Sequence, residues 1–151
     1  MGVYQIVLAL HNVIRWIALI LGILAAVKAF LGWIQDSEWT KLDRKFGLFF
    51  AIALDIQLLL GLLLYFALSP ITTSAVRDFS TVMGNSGIRF YAIEHAIMML
   101  LAVVFAHLGS ALPKRVDGSQ AKHRRAAIWF TLSFLVMLLG MPWMRPLFPA
   151  F

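Results

Sequence analysis

The sequence predicts an all-α protein, an integral-membrane up-down four-helix bundle formed as one domain over residues 1–151. Three observations predict it. Hydrophobic residues make up 62% of the 151 positions and mean hydropathy is +0.87, well above the roughly 45–50% apolar content of soluble domains. Four apolar stretches each reach the length of about 20 residues that a helix needs to cross a bilayer. The segments joining them are polar and mostly short, which suits antiparallel neighbours.

The first stretch runs from about Tyr4 to Ile34. It lacks the basic start and small-residue cleavage site of a signal peptide, so it reads as a retained helix. The second runs from about Phe46 to Leu68, after a polar loop over Asp36 to Lys45. The third runs from about Ile88 to Leu112, after a Ser-, Thr- and Gly-rich loop from Ser69 to Gly87. The fourth runs from about Ala126 to Leu147, with Pro142 and Pro146 breaking its last turns. The basic segment from Pro113 to Arg125 precedes it. All four are too long for strands.

Loop charge predicts orientation. One side carries Lys41, Arg44, Lys45, Lys114, Arg115, Lys122, Arg124 and Arg125; the other carries Arg77, Arg89 and Arg145. The first side is expected to be cytoplasmic, with both termini outside, in a bacterial inner membrane. The net charge of +6 then reflects topology and contacts with lipid headgroups. It does not point to nucleic acid, because no basic recognition helix or other nucleic-acid motif appears. The absence of cysteine excludes disulfides, thiolate metal sites and thiol nucleophiles.

Ionisable residues inside a span are functional candidates. Here they are His11, Arg15, Lys28, Asp55, Glu94, His95 and His107, with Gln57 as a neutral companion. His11 lies near the outer end of the first helix and His95 a turn or two inside the outer end of the third. In an up-down bundle those helices run parallel, so both histidines fall at similar depth. Two imidazoles at one depth on different helices could ligate a haem iron from opposite faces.

At about 100° per residue, His11 shares a stripe with Arg15, Ala18, Gly22, Ala25 and Ala29, and His95 shares one with Tyr91, Met99, Ala102, Ala106 and Gly109. Such small residues leave room for a flat macrocycle; they equally allow close helix packing without any cofactor. Arg15 and Arg89 are candidates to hold haem propionates. Arg15 could instead pair with Glu94 or Asp55. Glu94 could accept the spare N–H of a ligating imidazole, most naturally that of His11.

His107 lies about 18 Å beyond His95 along a helix, a spacing that would suit a second haem. The matching positions on the first helix read "ILA" (residues 23–25). That leaves only His123, in a "KHRR" stretch expected among the headgroups, so a second bis-His haem is not expected. Asp55 could relay protons, contact a quinone head group, or serve as a structural partner. Lys28 is expected to snorkel to the headgroups. The tryptophans mostly mark helix ends, apart from Trp16, which is placed to pack near a cofactor.

At "HNVIRW" (His11 to Trp16), "RFYAIEHAIMMLLA" (Arg89 to Ala102), "KHRRAAIWF" (Lys122 to Phe130) and "GMPW" (Gly140 to Trp143), the chain resembles a family of small bacterial four-helix membrane proteins described as cytochrome b-like. The resemblance implies one b-type haem. His11 and His95 match the family's two in-span histidines, with Arg15 and Glu94 as companions. The expected function is electron transfer between a membrane donor, such as a quinol, and other membrane or periplasmic redox subunits, as a carrier or oxidoreductase subunit rather than a stand-alone enzyme. Two other functions fit the same residues: a cofactor-free accessory subunit, and a small proton-coupled transporter built on Asp55, Glu94 and Arg15.

Overall fold

The computed structural model describes residues 2–143, apart from the side chains of Phe79 and Thr81. Those residues form no strand. Helix α1 spans Val3–Ile34 and α2 spans Lys41–Leu63. A π-helical turn, Leu64–Leu68, extends α2. Three short helices follow: α3 (Pro70–Arg77), α4 (Phe79–Gly84) and α5 (Ser86–Arg89). A second π-helical turn, Phe90–Glu94, leads into α6 (His95–Ala111). A 3-10 turn over Leu112–Arg115 precedes α7 (Ser119–Leu139).

Three continuous helical stretches are long and apolar enough to cross a membrane: Val3–Ile34, Lys41–Leu68 and Ser86–Arg115. Their outward faces carry large apolar side chains, such as Ile6, Leu10, Val13, Ile17 and Ile20 on α1. That is the surface expected where the solvent is lipid tails. The first turns of α7 carry Lys122, Arg124 and Arg125, and α7 is not among those three stretches.

Several element boundaries differ from expectation, each for a local reason. Helix α2 begins at Lys41, not Phe46, because Thr40 and Asp43 form a capping box. The Asp43 carboxylate accepts from Thr40 N at 2.8 Å, and Thr40 Oγ1 accepts from Asp43 N at 3.4 Å. These groups satisfy backbone donors that a helix start leaves open, in a turn too polar for apolar periodicity to register. The segment expected as a loop from Ser69 to Gly87 is largely helical. Ser69 caps α3, with Pro70 in its first turn, where a missing N–H costs nothing. Helix α7 starts at Ser119, not Ala126, so the "KHRR" stretch is helical. It ends at Leu139, capped by Gly140, with Pro142 two residues on. Pro146 and the expected end at Leu147 lie outside the described residues.

Helix α1 packs against α2 and α7, and α6 packs against the same two. Their core pairs small residues with phenylalanine rings. A Cβ on Gly22 would lie 2.8 Å from Phe50, and one on Gly47 or Gly109 would lie 2.5 Å from Phe130. The small-residue stripes of α1 and α6 are therefore filled, over this part of their length, by aromatic side chains of α2 and α7. Close backbone approach of this kind is the general basis of helix association in lipid.

One buried polar contact joins α6 and α7 at this level. Ser133 Oγ donates to Ala102 O at 2.6 Å. Replacing Ser133 with alanine is expected to cost about 0.6–2 kcal/mol, read as a lower unfolding midpoint in detergent. An unchanged midpoint would show that the bond adds nothing.

Candidate functional site

The site lies where α1, α6 and the end of α7 meet. The π-helical turn Phe90–Glu94 immediately precedes His95. Such a turn inserts one extra residue and re-aims the side chains that follow it, a feature frequent at functional sites. The ring centres of His11 and His95 are 6.4 Å apart, with ring planes inclined at 70°. The two helices thus bring together imidazoles that are 84 positions apart in sequence (95 − 11).

The hydrogen bonding of His95 assigns its tautomer. Its Nδ1 lies 2.7 Å from Gly140 O. A carbonyl oxygen can only accept, so Nδ1 carries the proton, and in the neutral ring the lone pair is then on Nε2. This is the arrangement of a metal-binding histidine held by a backbone carbonyl. The carbonyl comes from the C-cap of α7, a contact that sequence reasoning missed; helix-end periodicity carries no signal for it. His11 is set differently. Gln57 Nε2 donates to His11 O at 2.9 Å, fixing α1 against α2. Gly61 faces the ring, and a Cβ there would lie 3.5 Å from His11 Cε1.

Among the described residues, buried His11 Nδ1, Gln57 Oε1 and Glu94 Oε2 have no hydrogen-bond partner. Unsatisfied buried polar atoms are few in native structures; here they also include Asp43 Oδ1, ion-paired with Lys28, and both ring nitrogens of His123, away from this site. Arg15 is buried at 7% exposure. Its guanidinium carbon is 5.6 Å from the Trp16 ring centre, and its charge acts on both imidazoles. Phe90 and Tyr91 place their rings 6.1 Å and 6.3 Å from His95.

Other candidates have different partners from those expected. Glu94 pairs with Arg89, Oε1 to Nε at 2.8 Å, rather than with Arg15 or His11. That pair ties down the one arginine expected at the mouth of the third helix. Asp55 pairs with His107 at 2.8 Å, both side chains about half exposed on the surface of the helix bundle. Lys28 has a carboxylate partner at the start of α2. Its Nζ lies 3.1 Å from Asp43 Oδ1, because the longer α2 places a carboxylate within its reach. His123 is buried within the protein at 1% exposure. Its ring centre is 4.8 Å from that of Trp39. His107 and His123 thus belong to separate clusters.

A haem can be tested against this geometry. Two imidazoles that shared one metal ion through bonds of about 2 Å would have ring centres about 6 Å apart. The observed separation of 6.4 Å, the His95 Nδ1 bond to Gly140 O and the buried cation Arg15 fit such a group. The phenylalanines packed beside Gly22 and Gly109 would leave a macrocycle only the part of the stripes nearer His11 and His95. Comparison with known proteins finds no matching family model, no similar curated protein and no similar solved structure.

Proposed function

We propose that the chain is a b-type haem protein of a bacterial inner membrane, passing electrons between a membrane donor, such as a quinol, and a partner subunit near the outer face. In this reading α1, α2, α6 and α7 form an up-down four-helix bundle with both termini outside. The observation that carries it is the pair His11 and His95, 6.4 Å apart, with one ring held in the metal-binding tautomer by Gly140 O.

His11 and His95 would hold a haem iron, which would supply one-electron chemistry there. The chain's own contribution is positional. Gly140 orients His95, Gln57 anchors the backbone of His11, and Arg15 supplies a buried positive charge for a propionate. The positive end of the molecule, rich in Lys and Arg, lies toward the cytoplasm in this reading.

A dithionite-reduced minus air-oxidised spectrum of the detergent-purified protein, with a haem assay, tests it. About one low-spin b-type haem per chain is expected. The 70° inclination of the two rings adds a sharper expectation. The oxidised protein should give the strongly anisotropic electron paramagnetic resonance signal of nearly perpendicular axial imidazoles. A high-spin signal would show that only one histidine binds. No haem after expression with ample haem supply would sink the reading in favour of a cofactor-free accessory subunit.

A further inference from the structure

We propose that the basic end of the molecule carries a built site for a phosphate-ester anion, of the kind presented by an anionic phospholipid. The site is a pocket of about 280 Å³ between α2, α6 and α7, at the opposite end from His11 and His95. Its mouth carries Arg44, Lys114 and Lys122, and its wall carries Trp39 and Ser110. Its floor is the ring of Phe130, reached between Gly47 and Gly109, where a Cβ would press on that ring.

The charges at the mouth are uncompensated. Asp43 also lines the pocket, but its Oδ2 accepts from Thr40 N and Oγ1, and its Oδ1 pairs with Lys28. Among the described residues, Arg44, Lys114 and Lys122 have no carboxylate within ion-pair distance. The Ser110 hydroxyl likewise makes no hydrogen bond to them. Three cations and a free hydroxyl around one opening form an anion site. The apolar floor beneath favours an amphiphile, whose phosphate would meet the cations while its glycerol end reached toward Phe130. Basic pockets between membrane helices on the cytoplasmic side hold anionic headgroups in this way. Tertiary structure builds the pocket: Trp39 N donates to Ser119 Oγ at 2.9 Å, clamping together the two loops that present its mouth.

The test is lipid binding by native mass spectrometry of the full chain in detergent. The probes are phosphatidylglycerol, phosphatidylcholine with the same acyl chains, and inorganic phosphate. Phosphatidylglycerol is expected to bind about tenfold more tightly than phosphatidylcholine. Lys114→Gln with Lys122→Gln should remove that preference. Lys41→Gln with Lys45→Gln, at the same end but outside the pocket, should change it less than about twofold. The exposed single variant Lys114→Glu gives the same reading if the double variant folds poorly. Competition by millimolar inorganic phosphate, lost with Lys114→Glu, would support the anion site and assign it to a soluble phosphate. Equal binding of the two lipids without phosphate competition would overturn the proposal. So would an equal loss of preference in the Lys41 and Lys45 variant, which would reduce the effect to general surface charge.

Discussion

Replacing His11 with alanine is expected to abolish the b-type spectrum, lowering haem per chain at least about tenfold, and replacing His95 is expected to do the same. Loss of an outer partner of a metal ligand already costs about 10–100-fold in affinity, and these changes remove ligands themselves. The rings face each other at 6.4 Å, so neither has a substitute in the same place. The other two histidines serve as controls. His107 is engaged by Asp55 and half exposed, and His123 is buried against Trp39. His107→Ala should therefore leave haem content and the spectrum unchanged. Circular dichroism and gel filtration separate loss of ligand from loss of fold. Normal haem in both His11→Ala and His95→Ala would refute ligation by this pair. Loss of haem in His107→Ala as well would move the site.

The second large effect concerns helix packing at the other end. Gly32→Val is expected to destabilise the protein by about 1–3 kcal/mol, the usual cost of overfilling a packed interior. A Cβ at position 32 would overlap the His123 ring. That ring cannot retreat, because it is almost fully buried with Trp39 against it. His123→Ala in the same chain should recover part of the loss by making room. Such non-additivity is the signature of direct contact. Gly61→Ala offers a contrast within one fold. Its Cβ would meet only His11 Cε1, at an ordinary 3.5 Å, while removing a helix-interior glycine favours the helix by up to about 1 kcal/mol. Unfolding midpoints in one detergent test both. Equal effects of Gly32→Val and Gly61→Ala would show that the contact with His123 does not matter.

The apolar content of the chain made three long membrane-competent helices legible without coordinates. Periodicity alone put His11 and His95 on small-residue stripes. It could not tell whether those stripes receive a cofactor or another helix, since both need small side chains. The structure divides them: Phe50, Phe130 and Phe134 occupy the part near Gly22 and Gly109, and the two imidazoles meet nearer the start of α1 and of α6. Polar helix starts were the weakest signal. Thr40 with Asp43, and Ser69 with Pro70, are capping signatures in plain view, but hydropathy reads them as loop.

Partner choice among buried polar groups was beyond the sequence. Glu94 lies beside His95 in the chain but turns about 100° from it on the helix, and its oxygen meets Arg89 instead. Asp55 meets His107, Lys28 meets Asp43, and Gly140 holds His95. Each pairing depends on distances of a few ångströms between different turns or helices. Hydrophobicity and helical period are local and additive, so the sequence by itself determined that the chain is helical, lipid-compatible and basic at two of its connections. Contacts between helices depend on register, rotation and the depth at which each helix starts. Only the tertiary structure decided which imidazoles face each other, which carbonyl sets a tautomer, and where three cations surround one pocket.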